Sequence, residues 1–458
     1  MIRFSKQAAR SKRIEMNKVE INTGLGKVIG TVENGVCMYR GIPYAITERF
    51  EMPKPYPKWD VFDATKGETD CYQYLTYRDE SKGPDAFYHK EFRDNHSPEF
   101  AESPMTMNII ARENAKGQPV LVFIHGGGFE TGTVGELPYG TCTEYAKHDV
   151  VFVSVGYRLN VFSLYESGNY GLHDMVFGIK WIYEHIADFG GDPERITIMG
   201  QSAGAMSIMN LLYSQTLKGY VKGAVLMSGA GAVPLLTKPW TKLKSLPFWE
   251  GVRRRAGVET TEEFRKLPPD VIWKAWYEES RENWSFQAVQ PGIDGKIIPK
   301  LPQKVIRKKE YLDIPMIVGV TSQDFMPYII FDMAIGWAMK HVRHGKAPVY
   351  GYLFDRKLPG KSFKAFHGAD LWYMFGNMDK CWRPFEKIDY YLKDQMVQYI
   401  ANFVRYQDPN GAGLPYWRRV SRRHKSFRHF RDESTLSISP IQIRKKMDHT
   451  FVRDKGPM

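Results

Sequence analysis

Cysteine is scarce in this sequence of 458 residues, which holds four. Cys37, Cys71, Cys142 and Cys381 are scattered without C-x-x-C spacing. That spread disfavours a disulfide framework and a thiolate zinc site, so no metal is expected. Long apolar runs are also lacking. None approaches the roughly 20 residues that span a bilayer, so no transmembrane segment is expected. No internal repeat of fixed period stands out. The basic stretch 1–22 lacks the apolar segment of a secretory signal and reads as a solvated N-terminal arm, which places the chain in the cytoplasm. Asn283-Trp284-Ser285 matches a glycosylation acceptor, a match without meaning in a chain that is not secreted. Acidic residues are in deficit, with 51 Asp and Glu against 64 Lys and Arg, for a formal charge of +13. The excess gathers in the arm and in 418–431, RRVSRRHKSFRHFR. This segment alternates as exposed positions on terminal strands do. Phe427 and Phe430 supply little of the aromatic interleaving a phosphate-binding face needs, so no nucleic-acid partner is expected.

Apolar residues are plentiful, at 43% of the chain with 14% aromatic. Such a chain buries a large core, and we read a basic arm 1–22, a single α/β domain 23–440 and a C-terminal tail 441–458. Alternation with glycine punctuation over 24–45 predicts an N-terminal hairpin. The polar, poorly periodic stretch 70–116 reads as surface loops. Strands are predicted at 119–124, 150–155, 196–199, 223–227, 315–320 and 348–354, with helices between several of them. That alternation predicts a mostly parallel sheet covered on both faces. Met175, Ile179, Ile182, Ile186 and Phe189 make a helical stripe over 173–189.

Two glycine-rich strings give this layout a chemical focus. The β-branched, apolar run Ile196-Thr197-Ile198-Met199 passes through Gly200-Gln201-Ser202-Ala203-Gly204 into good helix formers, so the chain must reverse sharply at Ser202. The pattern is that of a nucleophile elbow, with Gly200 and Gly204 required because side chains there would meet the neighbouring strand and helix. Upstream, His125-Gly126-Gly127-Gly128-Phe129 follows the apolar strand ending at Ile124. Backbone N–H groups of Gly127 and Gly128, with that of Ala203, are the candidate oxyanion hole.

These strings, with GIPYA at 41–45, RF at 49–50, YRLN at 157–160, NYGLHD at 169–174, FGGDP at 189–193 and FHGADLWYMFGN at 366–377, resemble the type-B carboxylesterase family. That family includes carboxylesterases, cholinesterases, juvenile hormone esterases and the non-catalytic neuroligins, on the α/β-hydrolase fold. The resemblance implies a serine hydrolase of small or medium uncharged esters that works through an acyl-enzyme without a cofactor, with Ser202, Asp324 and His367 as the triad in hydrolase order.

The chain departs from the family pattern in ways that leave alternatives open. The acid is more often glutamate, and Asp370, close to His367 in sequence, is a competing carboxylate. Cys71 matches the family's first disulfide cysteine, but Pro104 and Met105 stand near its partner's place. Gln201 replaces the glutamate that cholinesterases carry before the serine, and no tryptophan lies between Cys71 and Pro104, so a cholinesterase is not expected. Only 43 positions separate Asp324 from His367, fewer than is usual. Either the enzyme is compact with an open pocket, or the chain is a defective or incomplete relative. The rival functional readings are a neuroligin-like adhesion protein and a basic binding protein on a degenerate hydrolase fold.

Overall fold

The structure, a computed structural model, describes residues 17–73, 84–93, 99–232, 238–282, 286–360, 364–431 and 437–451. The first sixteen residues of the arm, the Asn283-Trp284-Ser285 string and the last seven residues of the tail lie outside the described residues.

A thirteen-stranded sheet organises the chain. Its strands are β1 (Asn17–Thr23), β2 (Gly26–Glu33), β3 (Val36–Pro43), β4 (Thr106–Arg112), β5 (Gln118–Ile124), β6 (Val151–Val155) and β7 (Gly191–Gln201). They continue as β8 (Gly223–Met227), β9 (Met316–Thr321), β10 (Val349–Phe354), β11 (Phe427–Phe430) and β12 (Ser437–Ile438), and a short strand Val61–Asp63 joins β2. The order is β1-β2-β3-β4-β6-β5-β7-β8-β9-β10-β11-β12. Pairing is parallel from β6 to β11 and antiparallel at both ends of the path.

The strands were legible because β-branched and apolar residues fill them, and their period of two splits the core. In β5, Val120, Val122 and Ile124 enter one hydrophobic cluster while Leu121 and Phe123 enter another on the opposite face. The first cluster is covered by helices α2 (Tyr170–His185), α3 (Ala203–Ser214) and α5 (Pro327–His344). The second is covered by α6 (Leu371–Phe375) and α7 (Lys387–Tyr406). Each fully buried aliphatic or aromatic side chain contributes about 1.5–3 kcal/mol, so the helical layers on both faces stabilise the sheet between them.

The structure corrects some of the sequence expectations. The stretch 70–116 is not all loop. Thr106–Arg112 is a buried strand in the middle of the sheet, pairing with β3 and β6, and Pro84–Phe92 forms helix α1. Met107, Ile109 and Ile110 are fully buried, a run too short and too closely flanked by charge to show a period. The segment 418–431 is not uniformly exposed either. Phe427 and Phe430 are buried, one on each face of the sheet, and Arg428 and His429 are buried with them. His429 Nε2 meets Asp355 Oδ2 at 2.9 Å.

The cations before this strand do face solvent. Arg418, Arg419, Arg422, Arg423 and Lys425 are exposed on a loop pinned by buried Trp417 and Val420, with Val420 N–H donating to Val349 O at 2.8 Å. This loop lies where the parallel strands begin. At the chain's start, residues 17–22 of the expected arm pair with β2 as part of β1. Pro440–Phe451 is a helix, α8, in the segment read as a tail.

Candidate active site

Ser202 stands between β7 and α3 with φ 54° and ψ −123°. An L-residue rarely adopts such angles, and the neighbours enforce them. Its N–H donates to Met227 O at 2.8 Å, and a Cβ built on Gly204 would fall 2.1 Å from Ile124 O. Only glycine lets the helix start this close to β5. The turn leaves the Ser202 side chain on the wall of a cavity of about 290 Å3.

The loop after β5 forms the facing wall. Gly126, Gly127 and Gly128 line the cavity, and Gly127 adopts φ 104°. Its carbonyl accepts the N–H groups of Glu130 and Thr131, both at 3.0 Å, which turns the loop back on itself. A Cβ at Gly127 would lie 1.9 Å from Thr131 O. Ala203 is buried at the first turn of α3, where helix geometry leaves its N–H without an intrahelical acceptor.

His125 at the head of the loop is buried, stacks on Tyr157 with centroids 4.4 Å apart, and turns Nδ1 toward Gly126 O at 2.9 Å. Burial pushes its pKa down to about 4, so it is a neutral structural ring.

Asp324 and His367 come together from loops after β9 and β10. Gln323 forms an isolated parallel bridge with Phe366, and its N–H donates to Ala365 O at 3.0 Å. This clasp draws the two backbones close enough for the shorter aspartate: His367 Nδ1–H donates to Asp324 Oδ1 at 2.6 Å. Thr321 Oγ1 and the Phe325 N–H also donate to the Asp324 carboxylate, each at 3.0 Å. Burial opposes the charge on Asp324, but the charge and hydrogen bond of His367, with the Thr321 hydrogen bond, prevail and hold its pKa below the ordinary carboxylate value. Burial likewise opposes protonation of His367, and the charges of Asp324 and Asp370 outweigh it and raise the ring's pKa.

Asp370 does not compete for the imidazole's hydrogen bond. It is fully buried, its Oδ2 accepts the Tyr352 hydroxyl at 2.7 Å, and it stands at the residue before α6. Burial, against that hydrogen bond, pushes its pKa up to about 6.

A family model described as "Carboxylesterase family" matches residues 17–335 and 322–452. The chain belongs to the carboxylesterase family. It is 29% identical over 426 residues to para-nitrobenzyl esterase of Bacillus subtilis (strain 168), covering 78% of this chain and 83% of that one. It is 25% identical over 500 residues to liver carboxylesterase of Sus scrofa, covering 87% of each. A solved PNB esterase superposes with a TM-score of 0.81 at 25% identity, over 93% of this chain and 99% of that one. The mixed sheet with helices on both sides is therefore the α/β-hydrolase fold, and the chain is a carboxylesterase.

The carboxylesterase cavity has walls that sequence reasoning missed. Tyr88 and Phe92 come from α1, within the stretch read as loops. Trp273, Tyr277 and Arg281 come from helix α4 (Pro269–Glu282), four residues apart and so on one face, a spacing that could have marked them. Trp273 and Tyr277 stack at 4.7 Å, Arg281 lies over Tyr277 at 4.4 Å, and its guanidinium meets Glu130 of the glycine loop at 2.6 Å. The short Asp324–His367 interval thus does not leave the pocket unwalled. Cys71 carries a free thiol whose sulfur accepts the Leu159 N–H at 3.2 Å.

Proposed function

We propose that Ser202 is the nucleophile, His367 the general base and acid, and Asp324 the group that orients the imidazole, in hydrolysis of small or medium uncharged esters through an acyl-enzyme. The single observation that carries this is the 2.6 Å Asp324–His367 hydrogen bond opening onto the same cavity wall as the strained Ser202. With Nδ1–H committed to Asp324, Nε2 is the lone-pair nitrogen that takes the Ser202 proton as Oγ bonds the ester carbonyl carbon. The carbonyl π pair moves to oxygen, where the N–H groups of Gly127, Gly128 and Ala203 stabilise it. Collapse breaks the bond to the alcohol oxygen, which receives the proton from His367. A water then repeats the sequence and releases the acid.

Support for uncharged substrates comes from the cavity's own charges. Arg93 pairs with Glu136 at 3.1 Å and Arg281 with Glu130 at 2.6 Å, so neither sign is in excess on the wall. No helix among the described residues is long and apolar enough to cross a membrane. A reducing, cytoplasmic setting is the one we propose, and it agrees with the buried free thiols of Cys37, Cys71 and Cys142.

Labelling with a fluorophosphonate, followed by mapping of the modified peptide, tests the assignment. Ser202 is expected to carry the label, and Ser202→Ala is expected to lower kcat on a p-nitrophenyl ester by about 10⁴-fold or more. Retention of most activity by that variant would end the reading.

A further inference from the structure

The lone pair that the mechanism asks to accept the Ser202 proton already has a partner. The Gln201 side-chain NH2 donates to His367 Nε2 at 3.1 Å. Gln201 is buried and hemmed in: a Cβ on Gly126 would come within 2.6 Å of its Oε1, and one on Gly368 within 3.6 Å of its Nε2. The amide is therefore packed between the glycine loop and the loop that carries His367.

We infer that Gln201 is a positioning residue for the neutral state of His367, donating from its NH2 to the lone pair of Nε2 before an ester arrives. The inference rests on the esterase reading above. Its chemistry is that of an uncharged carboxamide N–H, a donor that meets the lone pair of the neutral ring and offers nothing to the N–H of the imidazolium. A glutamate at 201 could only accept once ionised, and would favour the imidazolium throughout. A methionine has nearly the same length and no N–H to offer. Gln201 takes no proton and forms no bond to substrate in any step. Its effect is to stabilise the neutral ring at rest, so that the base is unprotonated when an ester arrives, and to yield Nε2 to Ser202 when attack begins.

The other titratable groups around the ring are constant across the comparison. Asp324 and Asp370 face it from the two loops, with Tyr352 of β10 bonded to Asp370. From α1, Tyr88 faces Asp324 and His89 lines the cavity. Across the cavity stand the Arg93–Glu136 and Arg281–Glu130 pairs, each internally neutral.

The test is the acidic limb of kcat/KM for the full-length protein and for Gln201→Glu and Gln201→Met, each first shown by thermal unfolding to be folded. Donation to Nε2 favours the neutral ring, so its loss in Gln201→Met is expected to move the limb's midpoint up by about half a pH unit. Gln201→Glu adds an anion at hydrogen-bond distance and is expected to move it up by about one unit or more, a roughly tenfold loss of kcat/KM below the midpoint. Fluorophosphonate acylation of Ser202 at plateau pH is expected to persist in Gln201→Met, because Nε2 remains free for the serine. Midpoints within about 0.2 units of the parent in both variants would overturn the inference, as would a Gln201→Met that loses acylation at every pH with its midpoint unmoved. Failure of the parent protein to label at Ser202 would instead overturn the esterase reading.

Discussion

Asp324 shows how a carboxylate one methylene shorter than the usual glutamate reaches the imidazole. The Gln323–Phe366 bridge supplies the missing length from the backbone, and Thr321 fixes the second oxygen. Asp370 is held away by Tyr352. Asp324→Asn is therefore expected to cost roughly 10²–10⁴ in kcat, by leaving the ring in the wrong tautomer, and Asp370→Asn much less. Reversed effects would exchange the two assignments. The sign of the pH dependence follows from the same carboxylates. Because they raise the pKa of His367 against the effect of its burial, the fraction of neutral ring falls as pH drops through a midpoint above the ordinary histidine value. A kcat/KM profile with that acidic limb is the expected outcome. A flat one from pH 5 to 8 would remove His367 from its role.

Between elements, the informative contact is the one that ties α4 to the glycine loop. Arg281 and Glu130 join the helix bearing Trp273 and Tyr277 to the residues beside Gly127 and Gly128, so cavity wall and candidate oxyanion donors are one assembly. Aromatic walls reward acyl length until the cavity is full. With about 0.8 kcal/mol per buried methylene, kcat/KM is expected to rise about tenfold from acetyl to butyryl esters of one alcohol, and Tyr277→Ala to erase most of that gain. A level series in the parent protein would show that the acyl chain does not touch this helix. The four-residue spacing of Trp273, Tyr277 and Arg281 was there to be read in the chain, but not that the face they share lines the cavity. The elbow and the glycine loop announce themselves because only particular residues fit their backbones, whereas Trp273, Tyr277, Tyr88 and Phe92 look like any core aromatics until two distant helices bring them to one cavity. The strand Thr106–Arg112 was missed for a related reason. Its burial is decided by β3 and β6 on either side, and a short apolar run flanked by charge does not report its neighbours. The parallel strands between 118 and 354 were readable because their central residues are apolar on both faces and a clear turn or helix follows them, whereas Phe427–Phe430, with Arg428 and His429 at its centre, was not.

At the scale of the whole molecule, the family signatures outside the site prove to be braces. Arg158 of YRLN forms a buried, bidentate pair with Asp174 of NYGLHD, with separations of 2.8 and 2.6 Å, and Asn169 exchanges hydrogen bonds with the Gly292 backbone at 2.8 and 2.9 Å. These contacts hold α2 to the loops around the sheet. Removing one partner strands a charge in the core, so Arg158→Met is expected to destabilise the fold by about 3–5 kcal/mol, read as a fall in the denaturation midpoint. A loss below about 1 kcal/mol would show that water reaches the pair.

The pinned cationic loop has a consequence for how the enzyme sits on a solid. Arg418, Arg419, Arg422, Arg423 and Lys425 gather where the parallel strands start, and the cavity opens where they end. The charge of this loop and the residues that line the cavity are thus at opposite ends of the parallel strands. On a sulfonated bead at low ionic strength a protein held by this loop keeps its cavity toward the liquid, so that a layer adsorbed in that way turns over a small ester nearly as fast as the free enzyme. Coupling through random surface amines would scatter the orientations and bury a share of the mouths. Comparing specific activity between the two preparations, at equal loading, reads the polarity of the molecule directly.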